Sequence, residues 1–282
     1  MRTLRMRTSS RRGAPGPRRR HLVGAAAALA LVGLVAGCSS SSDDAGSSTT
    51  PAGTGGSGSG TVTLTVAAAS SLTEVMPKIG AAFTKQDPGT TVQFSFAGSQ
   101  DIAAQVDAGS PIDAIALAGS SSLDAISSKV GEPELFTSNK LVIIVPPGNP
   151  KKITSLADLA DVRVSLGAPD VPAGQYAREA LDNAGVEVTP VSEEEDVKGV
   201  VTRVSVGGAD AGIVYVTDAK AAQGDVEAVP IPDTYNVVAK YPATTVVASK
   251  YPDQAAAFVQ FLLSDTAQQL LRSAGFGPVP SE

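Results

Sequence analysis

The stretch Thr61-Val-Thr-Leu-Thr-Val-Ala-Ala-Ala-Ser70-Ser71-Leu-Thr-Glu-Val-Met76 decides the fold of this chain. Its first six residues are β-branched or apolar and alternate as in a strand. After Ser71, apolar side chains recur at helical spacing with an acid in the first turn, which predicts a helix from residue 71 to about residue 86. The N–H groups at a helix start have no partner inside the helix, and small residues before it let a ligand approach. The junction therefore suits an anion.

The same plan recurs along the chain, with the second serine 28 positions after the first. A predicted strand over residues 91–96 leads through Ala97 and Gly98 to Ser99, and a helix follows from Gln100. Two such junctions suggest two walls of one anion site. Serine is also a preferred N-cap in any protein, so plain capping by Ser71 and Ser99 is the alternative interpretation.

Strands and helices alternate through the rest of the chain, which predicts an α/β fold with largely parallel sheets. The second half repeats the plan of the first, which suggests two lobes. The predicted strands cover residues 112–118, 140–146, 162–166, 211–215, 226–231 and 244–249, and the predicted helices cover 175–184, a segment starting at 197, and one long amphipathic helix over 252–274.

The N-terminal segment resembles a bacterial lipoprotein signal. An arginine-rich start is followed by an apolar run over residues 22–37, which is shorter than the roughly 20 residues of a membrane-spanning helix. The run ends in Leu34-Val-Ala-Gly-Cys38, and in lipoproteins the cysteine of this pattern is lipidated and becomes the new N-terminus. We therefore predict a signal peptide over 1–37 and a lipidated Cys38 with a flexible Ser/Gly linker over 38–60. An ordinary secretory signal or a signal anchor is the alternative.

Composition excludes several classes of function. Of the 22 basic and 28 acidic side chains, eight arginines and no acid lie in residues 1–37, which leaves a formal charge of −14 on the remainder. Such a charge argues against nucleic acid as a partner. The one histidine, His21, and the one cysteine, Cys38, both lie at the N-terminus. The folded part therefore lacks the residues of Ser/His/Asp and Cys/His catalysis and of common metal centres, so we predict neither an enzyme, a cofactor nor a metal cation site.

The motifs taken together resemble the molybdate-binding proteins of ABC importers, which are periplasmic-type solute receptors. The resemblance implies the two-lobed type II periplasmic-binding-protein fold, with a mostly parallel sheet flanked by helices in each lobe and the ligand in the cleft between them. Lobe 1 would comprise 61–140 plus 241–282, and lobe 2 would comprise 141–240. The matching motifs are Ala68-Ala-Ser-Ser71-Leu-Thr, Phe96-Ala-Gly-Ser99, Gly109-Ser-Pro-Ile-Asp113, Asp170-Val-Pro-Ala-Gly174, Glu195-Asp-Val197-Lys-Gly, Gly212-Ile-Val-Tyr215 and Gly275-Phe276.

The resemblance implies that five residues hold a tetrahedral oxyanion: Ser71, Ser99, Ala173, Val197 and Tyr215. The family supplies backbone N–H groups at the first four positions, serine hydroxyls, and the tyrosine phenol. Two serines stand here where the family usually has one, so Ser70 rivals Ser71. From the residues alone, Tyr215 would be a core aromatic.

The implied function is an extracytoplasmic receptor that captures molybdate, and also tungstate, and delivers it to an ABC permease. The receptor would be a monomer, held on the outer face of the cell membrane by the lipid on Cys38. The alternatives are a receptor for another oxyanion such as sulfate or phosphate, or a tethered extracellular protein without a ligand. Neutral donors at helix starts suit a dianion because they avoid burying an arginine.

Two further expectations concern residues near this site. Asp196 precedes the helix that starts at Val197, so its carboxylate is expected to cap that helix and turn away from an anion. Tyr176, Tyr235 and Tyr241 are interpreted as packing or hinge residues, with the hinge near residues 140 and 241.

Overall fold

The structure is a computed structural model, and it describes residues 61–280. The predicted signal peptide (1–37), the lipidation site Cys38 and the linker (38–60) lie outside the described residues. Within the described part, no helix is both long and apolar enough to cross a membrane.

The described residues contain nine strands, joined in one sheet path with the order β2-β1-β3-β9-β4-β7-β5-β6, while β8 pairs with β4 off this path. The strands are β1 (Val62–Ala69), β2 (Thr90–Ala97), β3 (Ala114–Ala116), β4 (Glu134–Val145), β5 (Val164–Gly167), β6 (Ser192–Glu194), β7 (Ala211–Tyr215), β8 (Glu227–Pro230) and β9 (Val238–Thr245).

Helices flank this sheet, and several of them start directly after a strand. The α-helices are α1 (Met76–Gln86), α2 (Ser99–Asp107), α3 (Pro172–Asn183), α4 (Val197–Ser205), α5 (Val216–Ala221), α6 (Pro252–Phe261) and α7 (Asp265–Ala274). Short 3-10 helices cover Ser70–Leu72, Asp124–Lys129 and Leu156–Leu159.

The sheet is mixed. Strand β1 pairs in parallel with β2 and β3, and β5 pairs in parallel with β6 and β7, as the sequence predicts. Strands β4 and β9 add antiparallel pairs with each other and with β3, β7 and β8. We call β2, β1, β3 and β9 the first half-sheet, and β7, β5, β6 and β8 the second half-sheet.

Strand β4 joins the two half-sheets. Its residues up to Lys140 pair with β9, whereas its residues from Leu141 onwards pair with β7 and β8. The change of partner coincides with the predicted lobe boundary after residue 140. The described residues fall in a single compact unit, and the division into two lobes stays a prediction.

The core forms where apolar strand faces meet the helices. Strand β4 is buried at Leu141, Ile143, Ile144 and Val145, because it is covered on both faces as its continuous apolar run predicts. The largest fully buried side chains include Tyr215, Tyr241 and Phe136, with Tyr241 packed edge-on against Phe136 at a centroid distance of 6.3 Å. Two buried tyrosines in the centre of the molecule bring polar hydroxyls into an otherwise apolar interior.

The predicted helix over 71–86 is wrong in its first turn. The chain makes a short 3-10 helix at Ser70–Leu72, and α1 starts only at Met76. Pro77 lies in the first turn of α1, where its missing N–H costs nothing. That proline marks the true helix start.

Two other predicted elements are also wrong in their bounds. The long helix over 252–274 is two helices, because Ser264 caps α7 by accepting a hydrogen bond from the Ala267 N–H at 3.3 Å. The strand expected at 244–249 instead lies at Val238–Thr245. Pro242 within it pairs opposite Leu135, where a bulge in β4 shifts the register.

Candidate functional site

A small cavity lies between the two half-sheets, where the carboxyl ends of six parallel-paired strands (β1, β2, β3, β5, β6 and β7) meet. Ligands of α/β proteins bind outside such strand ends. The cavity contains all five residues that the family resemblance assigns to the ligand. Its lining consists of Ala69, Ser70, Ser71, Ala97, Gly98, Ser99, Ala118, Val171, Pro172, Ala173, Asp196, Val197 and Tyr215.

Ser71 reaches the cavity from the 3-10 helix after β1. Its hydroxyl oxygen lies 2.9 Å from the hydroxyl of Tyr241, and neither Ser70 nor Ser71 caps the helix with its side chain. The interpretation of Ser71 as an N-cap is therefore wrong. Both serines are buried and both line the cavity, so the rivalry between Ser70 and Ser71 persists.

Ser99 reaches the cavity from the second junction. It is the first residue of α2, whose N-cap position is Gly98, and its side chain makes no capping bond. The Ser99 Oγ instead accepts a hydrogen bond from the backbone N–H of Ala118 at 3.1 Å. Because the oxygen accepts from this N–H, the hydroxyl proton of Ser99 is left for a second partner.

Ala173 and Val197 approach from the second half-sheet, each in the first turn of a helix. Ala173 follows Pro172 in α3, and Val197 is the first residue of α4. The α3 start packs closely on β5, since a Cβ at Gly174 would collide with the carbonyl oxygens of Gly167 and Ala168. This close packing fixes the position of the Ala173 backbone.

Asp196 is the charged residue in the cavity lining. Its Oδ1 accepts a hydrogen bond from the Gly199 N–H at 2.9 Å, so the carboxylate caps α4. This confirms the expectation that Asp196 turns towards its own helix.

The backbone N–H groups of four cavity residues are free of backbone partners. Among the described residues, no hydrogen bond uses the N–H of Ser71, Ser99, Ala173 or Val197 as donor, and all four residues are at most 5 % exposed. Buried N–H groups without an acceptor are rare and costly. Four of them lie around one cavity, and an acceptor-rich ligand would satisfy them.

Tyr215 ends β7 and brings its phenol to the cavity. Its hydroxyl donates to the carbonyl oxygen of Ala118 at 3.3 Å, across the gap between the half-sheets. Burial raises the pKa of Tyr215 well above its usual value. The phenol therefore stays protonated and remains a hydrogen-bond donor.

Contacts across the gap seal the cavity. The Gln100 side-chain amide donates to the carbonyl oxygen of Glu195 at 2.9 Å, and the Ser121 hydroxyl donates to the side chain of Gln175 at 3.1 Å. The enclosed space measures about 10 Å³, a volume that admits only a body of about the size of a water molecule. As closed here, the cavity has room for neither an organic solute nor a tetrahedral oxyanion, so its walls have to separate before any ligand enters.

Three residues near the site escaped the sequence analysis. Tyr241 contacts Ser71, so its interpretation as a packing or hinge residue is incomplete. Asp218 in α5 is buried, and neither of its carboxylate oxygens has a hydrogen-bond partner within the described residues. Lys198 follows Val197 and lies 3.7 Å from Asp218 and 3.9 Å from Glu74. The acid in the first turn of α5 was the only sequence signal for any of them.

Comparisons with known proteins agree with this architecture. Residues 64–277 match the family model described as bacterial extracellular solute-binding protein. The molybdate-binding protein ModA of Mycobacterium tuberculosis (strain H37Rv) is 34% identical over 258 residues, which cover 90% of this chain and 96% of the relative. ModA of Haemophilus influenzae is 33% identical over 223 residues, which cover 74% of this chain and 87% of the relative.

The fold is shared with a solved molybdate-binding structure. The periplasmic molybdate-binding protein of Azotobacter vinelandii superposes with a TM-score of 0.65 at 19% identity, covering 77% of this chain and all of that one. The predicted periplasmic-binding-protein fold is thereby confirmed. Members of this family are extracytoplasmic transport receptors and not enzymes. The chain belongs to the bacterial extracellular solute-binding proteins, among the relatives of the molybdate-binding protein ModA.

Proposed function

We propose that the chain is a receptor that captures molybdate outside the cytoplasm and delivers it to an ABC permease. The observation that carries this proposal is the group of four buried N–H donors around one small cavity, at Ser71, Ser99, Ala173 and Val197. A tetrahedral dianion offers four acceptor oxygens to such a cavity. Tungstate has the same shape and charge, and we propose it as a second ligand.

The donors suit a dianion although none is a full positive charge. Helix starts place partial positive charge at the cavity, and each hydrogen bond to a charged ligand is stronger than one between neutral groups. The Ser71 and Ser99 hydroxyls would complete the ligand shell, together with the Tyr215 phenol once its proton turns from the Ala118 carbonyl oxygen to the ligand. The described residues that line the cavity include no arginine, so no such charge has to be desolvated there.

Every ligand has to displace the walls of the closed cavity, and a compact inorganic ion requires the smallest displacement. Closed as it is, the cavity has no room for a tetrahedral anion or for an organic solute. Sulfate and phosphate are also compact tetrahedral anions, and they are the competing ligands. Binding would require the two half-sheets to move apart and close again, with β4 and β9 as the connecting strands. We propose lobes of 61–140 plus 241–282 and of 141–240.

The location follows from the N-terminal pattern. We propose that 1–37 is removed as a signal peptide and that lipid on Cys38 anchors the monomeric receptor to the outer face of the membrane. The Ser/Gly segment up to residue 60 would let the folded part reach its permease. Replacing Cys38 by alanine should release the receptor from the membrane fraction.

Isothermal titration of the folded part with molybdate, tungstate, sulfate and phosphate tests the proposal. We expect heat with molybdate and a stabilisation of about 2.7 kcal/mol when molybdate is present at a hundred times its dissociation constant. Elemental analysis of protein purified from its native host should find molybdenum or tungsten. Tighter binding of sulfate or phosphate than of molybdate would assign the site to that anion instead, and no heat with any of the four would refute the receptor function.

A further inference from the structure

A chain of buried polar groups runs from β4 to the cavity wall. The side-chain amide nitrogen of Asn139 lies 3.5 Å from the hydroxyl of Tyr241, and this hydroxyl lies 2.9 Å from the hydroxyl of Ser71. Asn139 is 2 % exposed and Tyr241 is 0 % exposed. The three groups are therefore shielded from water, which could otherwise reverse the direction of any of these bonds.

The orientation of the Asn139 amide follows from its other neighbours. Its oxygen accepts the backbone N–H of Lys140 at 3.0 Å, and its nitrogen donates to the hydroxyl of Thr217 at 2.8 Å. A flipped amide would turn its NH₂ group towards a backbone N–H, which is also a donor. The nitrogen therefore faces Tyr241, and an amide nitrogen can only donate.

This fixed donor sets the direction of the next two bonds. The Tyr241 oxygen accepts from Asn139, so the phenol proton has to go to another oxygen. The Tyr215 hydroxyl also faces Tyr241, but its own proton goes to the Ala118 carbonyl, and the Ser71 oxygen lies only 2.9 Å from the Tyr241 hydroxyl. We therefore assign the Tyr241 proton to Ser71. Burial raises the pKa of Tyr241 above its usual value, so the phenol does not lose this proton. Ser71 then accepts from Tyr241, and its own proton is left to point into the cavity.

We propose that Tyr241, oriented by Asn139, is a positioning residue that holds the Ser71 hydroxyl as a donor and thereby selects fully deprotonated oxyanions. An anion that carries a hydroxyl group, such as monohydrogen phosphate, would need an acceptor in the wall, and Ser71 cannot serve as one in this arrangement. The inference rests on the proposed function of the cavity as an oxyanion site.

Ser99, on the same side of the cavity as Ser71, is held as a donor by a different partner. Ser99 accepts from the backbone N–H of Ala118, which likewise leaves the serine proton for the cavity. Both serines are thus held as donors, Ser99 by the backbone N–H of Ala118 and Ser71 by Tyr241. Of the two devices, only the tyrosine can be removed by a side-chain substitution.

The test variant is Tyr241→Phe, which deletes the hydroxyl and keeps the ring. The ring packs edge-on against Tyr215 and Phe276, with centroid distances of 5.9 and 5.5 Å, and phenylalanine retains these contacts. Tyr235→Phe is the matched control, because Tyr235 is 40 % exposed and is not part of the cavity lining. Each protein is titrated with molybdate, and its thermal shift is measured in high concentrations of sulfate and of phosphate at the same pH.

In Tyr241→Phe the Ser71 hydroxyl is free to rotate and can accept as well as donate. We expect molybdate affinity to fall about tenfold, the value of one hydrogen bond of about 1.4 kcal/mol. We expect binding of phosphate relative to sulfate to rise at least about fivefold. The Tyr235→Phe control should match the unmodified chain in both measurements.

A second variant, Asn139→Leu, removes the amide that sets the direction of the hydrogen bond between Tyr241 and Ser71. It should shift the phosphate-to-sulfate ratio the same way, and the double variant should show no further shift, because both substitutions release the same hydroxyl. A purely structural role would lower all affinities together. Unchanged molybdate affinity, or an equal loss for sulfate and phosphate, in a folded Tyr241→Phe protein would overturn the inference. If the unmodified chain binds none of these anions, the proposed function itself fails.

Discussion

Lys198 Nζ lies 3.7 Å from Oδ1 of Asp218, whose side chain is completely buried. The ammonium is too far away for a short hydrogen bond, and neither carboxylate oxygen has a hydrogen-bond partner within the described residues. Burial raises the pKa of Asp218 from 3.8 to about 7, against the opposing effect of Lys198. Asp196 also raises it. A carboxyl group with this pKa changes charge near neutral pH, directly behind the candidate site.

The first prediction concerns stability against pH. Between about pH 4 and pH 7 the folded chain keeps the Asp218 proton that the unfolded chain has lost, so the free energy of unfolding falls as pH rises and levels off above pH 7. The total loss is on the order of 4 kcal/mol. Asp218→Asn should remove this slope and raise the melting temperature at pH 8. Asp253→Asn, at an exposed position, is the control, and an unchanged slope in Asp218→Asn would contradict the prediction.

The second prediction concerns ligand affinity against pH. A dianion in the cavity disfavours a negative charge on Asp218, so binding should raise the pKa of this carboxyl further and take up a proton near neutral pH. Molybdate affinity should therefore fall as pH rises from 6 to 8.5. Titration in buffers of different ionisation enthalpy measures the proton uptake directly. The Asp218→Asn protein should show none, and equal uptake in both proteins would exclude Asp218 as the source.

The third prediction concerns Lys198, which neutralises the buried carboxylate. Lys198→Met keeps the long side chain and removes its charge, so at pH 8 it should destabilise the fold by about 3 kcal/mol, the cost of an uncompensated buried charge. At pH 5, where Asp218 is protonated, the effect should nearly vanish. In the Asp218→Asn background the same substitution should also have little effect at pH 8. Chemical denaturation of the four proteins at both pH values completes this comparison.

The fourth prediction concerns the two serines of the cavity wall. Ser71→Ala and Ser99→Ala should each weaken molybdate binding by about 1.5–3 kcal/mol, the value of a hydrogen bond to a charged group. Ser70→Ala should have a smaller effect, because we place the ligand hydroxyl at Ser71. Ser128→Ala, at an exposed position outside the cavity lining, is the control. A larger loss with Ser70→Ala would exchange the roles of the two neighbours.

The fifth prediction concerns Gly98, which lies close to the opposite half-sheet. An added Cβ would lie 2.7 Å from the carbonyl oxygen of Glu195, which belongs to the opposite side of the cavity. Gly98→Ala should therefore hold the cavity open, weaken molybdate binding strongly, and leave the ligand-free stability nearly unchanged. In the control Gly89→Ala, the added methyl would meet no atom closer than 3.4 Å. Normal affinity in Gly98→Ala would show that the cavity closes by another route.

Local patterns predicted most of the architecture. Three local patterns mark elements that the structure contains: the alternation at residues 61–66, the continuous apolar run of β4, and the small residues before Ser99. The helix starts that the sequence analysis places wrongly also have local signals in the sequence. Pro77 marks the true start of α1, and Ser264 followed by an acid marks a new helix.

The polar network behind the site could not be predicted in this way. Ser71 and Tyr241 are 170 positions apart in the chain, and their contact exists only because β9 packs beside β3 and β4. Nothing in the residues around Tyr241 distinguishes it from a packing aromatic. The five ligand positions were selected by family resemblance, because alanine and valine contribute only their backbone.

The sealed cavity has a kinetic consequence. An ion enclosed by Tyr215, Ala118, Gln100 and Glu195 can leave only after the hydrogen bonds across the gap have broken. The off-rate would then be limited by an opening motion that breaks these hydrogen bonds together with the ligand's bonds to one side of the cavity, so a tightly held anion would also leave slowly. A permease that pulls the two sides apart would accelerate release of whichever ion is inside, without having to recognise the ion itself.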